Sequence, residues 1–186
     1  MNSIYVKGIL PIEFCHFYTH VLMRNINRVG DYQIPAALTV MDHEYMFETL
    51  QERIWPTIEN IVGEELLPTY SYARLYSNGD ILEKHTDRPA CEVSITIQLG
   101  RSHNYSWPIY MGEKRYDLAE GDGVIYSGCD VEHWRNVCDG PDEYYSGQVF
   151  IHFVRKNGKY YSESGDSEVR NPPSFIKNRT YLMESK

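Results

Sequence analysis

Apolar residues recur at Phe14, Phe17, Tyr18, Val21 and Leu22, a spacing that predicts an amphipathic helix over residues 12–27, with Gly30 as its stop. A second helical stripe runs through Phe47, Leu50, Ile54, Ile58 and Ile61, with Asp42 as the expected N-cap and Gly63 as the expected end. Pro56 interrupts it, so that helix is expected to kink or to restart after Trp55. From Leu66 onward the hydrophobic period shortens from about 3.6 to 2, the change from helix to strand. Val93, Ile95, Ile97 and Leu99 alternate with Glu92, Ser94, Thr96 and Gln98, which predicts a strand with one apolar and one polar face. Further strand-like runs lie at Tyr72 to Tyr76, Trp107 to Met111, Tyr116 to Leu118, Gly123 to Tyr126, Glu132 to Val137 and Gln148 to Val154. Short strands divided by Gly, Asp and Asn turns predict an antiparallel sandwich or barrel, with the helices packed outside it as scaffold.

The 186 residues suit one domain, divided into helical support (1–65), a β core (66–155) and a C-terminal extension (156–186). In the extension, Gly158, Ser162, Ser164, Gly165, Asp166 and Ser167 lead into Asn171-Pro172-Pro173, a tail that either closes over the barrel mouth or trails in solvent. With 42% apolar and 24% charged residues, the composition is that of a soluble globular protein. A net charge of −8, with no basic stripe, disfavours a nucleic-acid partner, whose affinity rests on Lys and Arg displacing counterions. Cys15, Cys91, Cys129 and Cys138 form no C-x-x-C pair, so neither a zinc knuckle nor a disulfide framework is expected and a reducing cytoplasm fits. No leader or membrane-spanning run is evident, and the triplets Asn104-Tyr105-Ser106 and Asn178-Arg179-Thr180 are read as chance matches to the glycosylation signal. Nothing sets the oligomeric state.

Candidate chemistry centres on His85 and Asp87, which follow the turn Asn78-Gly79-Asp80. At i, i+2 on an extended segment, both side chains leave the same face. His133, reached after the turn Glu120-Gly121-Asp122-Gly123, supplies a second imidazole. Together they would make a 2-His-1-carboxylate face, which holds Fe(II) on three positions and leaves others open. His16 and His20 stand at i, i+4, but Phe17 follows His16 where an H-E-x-x-H motif has Glu, and exposed residues on a packed helix are expected instead.

Two stretches carry a family likeness. Arg74-x-Tyr76-x-x-Gly79, five residues, then His85-x-Asp87 resembles the strand and turn before the iron ligands of prolyl 4-hydroxylase-like 2-oxoglutarate/Fe(II) oxygenases. The segment from Leu118 through Glu120-Gly121-Asp122-Gly123 to Tyr126, then His133, resembles the turn leading to their distal histidine. The resemblance covers roughly residues 68–154 and implies a double-stranded β-helix (a jelly roll, cupin-like), mainly β with flanking N-terminal helices. It further implies Fe(II) on His85, Asp87 and His133, 2-oxoglutarate as co-substrate with its distal carboxylate on Tyr76, and O2. One departure stands out: the Lys or Arg the family places about ten residues after its distal His is missing from Asp139-Gly140-Pro141-Asp142-Glu143-Tyr144. A buried carboxylate needs a cation, so Arg135, two residues beyond His133 and one step deeper, is the first candidate, Arg74 the second, and Gln148 a neutral helper. Arg88, Trp107, Tyr110 and Trp134 are expected at the substrate opening.

The implied activity is a dioxygenase that hydroxylates an unactivated C–H bond, with a prolyl or other amino-acid, peptide or small-molecule substrate. An Asp at the carboxylate position agrees, because halogenases of the superfamily lack a ligand there. Two other readings stand beside it: a cupin-like metal enzyme that does not use 2-oxoglutarate, and a non-catalytic jelly-roll binding protein.

Overall fold

A computed structural model describes residues 3–26, 33–34, 37–42 and 44–165. Its largest sheet is built from β1 (Ser3–Val6), β2 (Thr39–Asp42), β3 (Leu66–Ser77), β5 (Val93–Arg101), β8 (Gly123–Tyr126) and β10 (Tyr145–Arg155), in the order β1-β8-β5-β10-β3-β2. A smaller sheet has the order β4-β9-β6-β7, from β4 (Leu82–His85), β9 (His133–Arg135), β6 (Ile109–Met111) and β7 (Lys114–Tyr116). All pairings are antiparallel. This is the expected two-sheet, mainly β architecture.

Register decides what each face of the large sheet does. Val149 lies opposite both Ala73 and Ile97, and Ile95 lies opposite both Ile151 and Ile125, so one face is continuous aliphatic surface. Against it pack α1 (Ile12–Arg24) and α2 (Tyr45–Val62) through Cys15, Tyr18, Leu22, Phe47, Leu50, Ile54 and Ile58. The other face carries Tyr72, Arg74, Tyr76, Ser94, Thr96, Gln98, Gln148, Phe150 and His152, and all but Tyr72 are buried. The polar positions Ser94, Thr96 and Gln98 of β5 are therefore buried and line the interval between the two sheets.

The helices differ from expectation in three ways. The buried stripe of α1 is Cys15, Tyr18, Thr19 and Leu22, whereas Phe14 (53%) and Phe17 (56%) are exposed. The cause is close approach: the Gly100 amide donates to Thr19 Oγ1 at 2.6 Å, and a Cβ on Gly100 or Gly147 would sit 2.8 or 3.1 Å from that oxygen. Small residues fit there and a phenyl ring does not. Asp42 ends β2, opposite Tyr72, instead of capping α2, whose N-cap Glu44 makes no side-chain cap bond. Of the two outcomes expected at Pro56, a restart does not occur: the second helix is one element through Pro56 and ends as expected at Gly63, in the left-handed conformation (φ 78°). The first helix ends at Arg24, with Asn25 as its C-cap, short of the expected residue 27; the expected stop at Gly30, and the tail from Asp166 onward including Asn171-Pro172-Pro173 and the Asn178 triplet, lie outside the described residues. Among those described, no helix is long and apolar enough to cross a membrane.

Strands β1 and β2, too short to show a period, extend the large sheet from within the first 65 residues. Asp122 anchors β1: its carboxylate accepts from the Tyr5 hydroxyl, from the Gly8 amide at 2.8 Å and from the Ala119 amide at 3.1 Å. Beside it Gly121 (φ 87°) leaves room for the Leu10 carbonyl, which would lie 2.2 Å from any Cβ. Gly121→Ala is therefore expected to cost about 2–5 kcal/mol through combined backbone strain and overpacking. Chemical denaturation measures this, and a loss below about 1 kcal/mol would mean that the turn relaxes freely.

Candidate metal centre

Pairing of β4 with β9 sets His85 directly opposite His133. Asp87 follows β4 and is fixed by its own backbone, whose N–H donates to the Gly128 carbonyl at 2.8 Å. Three ligand atoms converge: Asp87 Oδ1 lies 3.6 Å from His85 Nε2 and 3.4 Å from His133 Nε2. The two ring centroids are 4.2 Å apart. Each imidazole is oriented from behind, His85 Nδ1 contacting the Glu83 carbonyl at 2.7 Å and His133 Nδ1 the Val131 carbonyl at 2.9 Å. A carbonyl only accepts, so each Nδ1 carries the proton and each Nε2 presents a lone pair, the tautomer a metal requires.

Electrostatics act on His85 and Asp87. Burial, with His133 close by, lowers the His85 pKa and keeps the ring neutral. Burial alone would raise that of Asp87, but the hydrogen bond and charge of His133, with His152 and His85 beyond, outweigh it and hold the carboxyl below its ordinary value. The site thus offers a cation one carboxylate oxygen and two imidazole nitrogens. The site fits an octahedral ion that keeps open positions.

Gly128 matters to this geometry, since a Cβ there would lie 2.5 Å from Asp87 Oδ2 and 2.3 Å from the Cys91 carbonyl. Gly128→Ala is expected to displace the carboxylate and weaken metal binding by about 10- to 100-fold, the usual effect of disturbing a ligand's support. Competition with a chelator of known affinity reads this directly; unchanged affinity would show that the carboxylate has room to retreat.

A cavity of about 250 Å3 opens beside the three ligands and is bordered by Arg74, Tyr72, Phe150, Leu82, Ile109 and Tyr126. The candidate cations divide. Arg135, on the His133 face of β9, is 1% exposed; its Nη1 donates to the Trp107 carbonyl, while Nε and Nη2 have no hydrogen-bond partner among the described residues. Its guanidinium lies 4.9 Å from the Trp107 ring centroid, and burial lowers its pKa. Arg74 borders the cavity itself, donating to Tyr76 Oη at 3.2 Å and to Gln33 Oε1 at 2.6 Å. Gln148 is committed to the sheet wall, where its amide donates to Gln98 Oε1 and, at 3.4 Å, to Ser146 Oγ.

Arg88 borders the cavity, its guanidinium 4.5 Å from the centroid of the Tyr70 ring. The other three residues expected at the opening are elsewhere. Trp107 is core, edge-on to Tyr76 at 5.1 Å. Tyr110 and Trp134 stack on each other at 5.3 Å at positions alternating with the buried Ile109, Met111, His133 and Arg135, which puts them on the far face of the small sheet. His16 is a surface partner of Glu120 at 3.0 Å and His20 is exposed, so that pair forms no site. Sequence reasoning passed over Ser94, Tyr126 and His152, which meet near Asp87 on the polar face of the large sheet. The polar alternation of β5 was their signal.

Solved structures with this arrangement of strands share one theme. A prolyl-4-hydroxylase from Pseudomonas putida superposes with TM-score 0.60 at 14% identity, over 84% of this chain and 94% of that one. A 2OG-Fe(II) oxygenase family protein from Burkholderia pseudomallei gives 0.64 at 14% identity, over 84% and 86%. The chain has the oxygenase fold. HygX from Streptomyces hygroscopicus, with nickel, 2-oxoglutarate and hygromycin B bound, gives 0.63 at 11% identity, over 84% of both chains. No protein-family model and no curated protein sequence matches the chain.

Proposed function

We propose that this protein is a 2-oxoglutarate- and Fe(II)-dependent dioxygenase that hydroxylates an unactivated C–H bond. The observation that carries the reading is the convergence of His85, Asp87 and His133 with both imidazoles locked in the ligating tautomer. These three residues hold one face of the iron. When bound, iron with 2-oxoglutarate and O2 supplies the oxidising power, the co-substrate leaving as succinate and carbon dioxide while the substrate gains a hydroxyl group.

The chain's own residues position and exclude. Arg135 presents two unengaged N–H edges, which a carboxylate satisfies as a bidentate pair, and Tyr76 adds a hydroxyl. Arg74 is the second reading for that role, favoured by its place on the cavity wall. Tyr72, Phe150 and Leu82 shed water from the reacting centre. A cavity of about 250 Å3 that must also admit the co-substrate fits a small molecule or one side chain of a peptide, including a prolyl residue, better than a bulky ligand.

The test is turnover of 2-oxoglutarate to succinate by the iron-loaded protein under air. Production that requires iron supports the reading. Stoichiometric iron without any succinate would overturn it in favour of a cupin-like enzyme, and no bound iron would leave a binding protein.

A further inference from the structure

Behind the iron triad lies a second group of ligating atoms. Asp87, Cys91 and His152 each offer one ligand atom, and these atoms all lie within 4.8 Å of one another. All three border the same cavity, so an ion has a path to them.

The hydrogen bonds around His152 fix its chemistry. The Ser94 hydroxyl donates its one proton to the Cys91 carbonyl at 3.1 Å, so toward His152 Nδ1, 2.8 Å away, it acts as acceptor. His152 Nδ1 therefore carries the proton and Nε2 presents the lone pair, the orientation already seen in His85 and His133. Asp87 has a free end to offer as well: Oδ1 faces the histidine pair of the triad, whereas Oδ2 is buried with no hydrogen-bond partner among the described residues. The Tyr70 hydroxyl stands 3.1 Å from Cys91 Sγ, where it can donate to a thiolate.

We propose that Asp87, Cys91 and His152 form a second metal site, selective for a thiophilic divalent cation such as Zn2+, with the Asp87 carboxylate shared between the two sites. This goes beyond the oxygenase reading and touches it only at Asp87. One thiolate, one imidazole and one carboxylate suit a tetrahedral ion, with water from the cavity in the fourth position. Binding replaces the Cys91 S–H bond by a sulfur–metal bond and releases one proton to solvent, with no change of oxidation state. Iron, harder, goes to the nitrogen and oxygen ligands of the triad, and the soft ion goes to sulfur.

Co2+ serves as the spectroscopic probe in full-length protein stripped of metal. In a His85→Ala/His133→Ala variant, about one equivalent of Co2+ is expected to bind and to give a thiolate-to-cobalt charge-transfer band in the near ultraviolet. Adding Cys91→Ser is expected to abolish the band, and adding His152→Gln to weaken Co2+ binding at least about tenfold, with circular dichroism unchanged. Should the double variant fail to fold, wild type and Cys91→Ser with excess Co2+ give the same comparison. Absence of the band in wild type, or its survival in Cys91→Ser, overturns the proposal. The iron reading is scored separately, because Cys91→Ser leaves the triad intact and its iron stoichiometry should stay at one.

Discussion

His133→Ala is expected to reduce iron-dependent succinate production to background. The side chain supplies one of three protein ligands, 3.4 Å from Asp87 Oδ1, and nothing else on β9 can replace it: Trp134 points to the far face and Arg135 is a cation. Disturbing only the partners of a metal ligand costs about 10- to 100-fold in affinity, so loss of the ligand itself should cost at least about 100-fold, some 2.7 kcal/mol. Two measurements separate this effect from misfolding. Iron content after reloading should fall well below stoichiometric, while the unfolding midpoint of the metal-free variant should stay within a few degrees of wild type, since the ring borders an open cavity and not the aliphatic core. Equal turnover by wild type and variant would remove the metal assignment, and with it the proposed activity.

Arg135→Met should separate co-substrate binding from iron binding. The apparent 2-oxoglutarate requirement should rise by about 30- to 150-fold, the equivalent of losing a charge-assisted pair worth about 2–3 kcal/mol, with iron content unchanged. Stability should move the other way. In the metal-free protein Arg135 is a buried charge with only the Trp107 carbonyl as a described hydrogen-bond acceptor, and such a group is costly to keep. An apolar side chain of similar length should therefore raise the melting temperature of the ligand-free protein, while 2-oxoglutarate with a redox-inert metal should stabilise wild type far more than the variant. Thermal melts with and without co-substrate measure both. An unchanged 2-oxoglutarate requirement would transfer the role to Arg74, which already borders the cavity and touches Tyr76.

The legible parts of the sequence were those where one physical cause dominates. Alternation at Val93 to Leu99 located a real strand, and Gly63 ended a real helix, because periodicity and left-handed backbone are local properties. His85 and Asp87 could be singled out by spacing and His133 named as a second imidazole, yet their meeting depends on the register between β4 and β9, which no local pattern carries. Three things stayed hidden. The α1 contact stripe depends on how closely Gly100 and Gly147 approach Thr19, a feature of the partner strands and not of the helix. Strands β1 and β2 are held by Asp122 and by pairing with β3, through contacts distant in sequence. What covers the polar face of β5 could not be read either, because a second sheet lying over it leaves no mark within the strand itself.

The cross-strand register of His85 and His133 also has a temporal consequence. The two imidazoles become neighbours only once β4 and β9 have paired, and those strands lie far apart along the chain with β5, β6, β7 and β8 threaded between them. Non-local pairing of this kind comes late in folding. On the proposed reading, iron capture is then expected to follow assembly of the two sheets, the reverse of a zinc finger, whose metal organises an otherwise unfolded chain. Protein made when iron is scarce is then expected to accumulate folded and metal-free, ready to take up the metal without refolding.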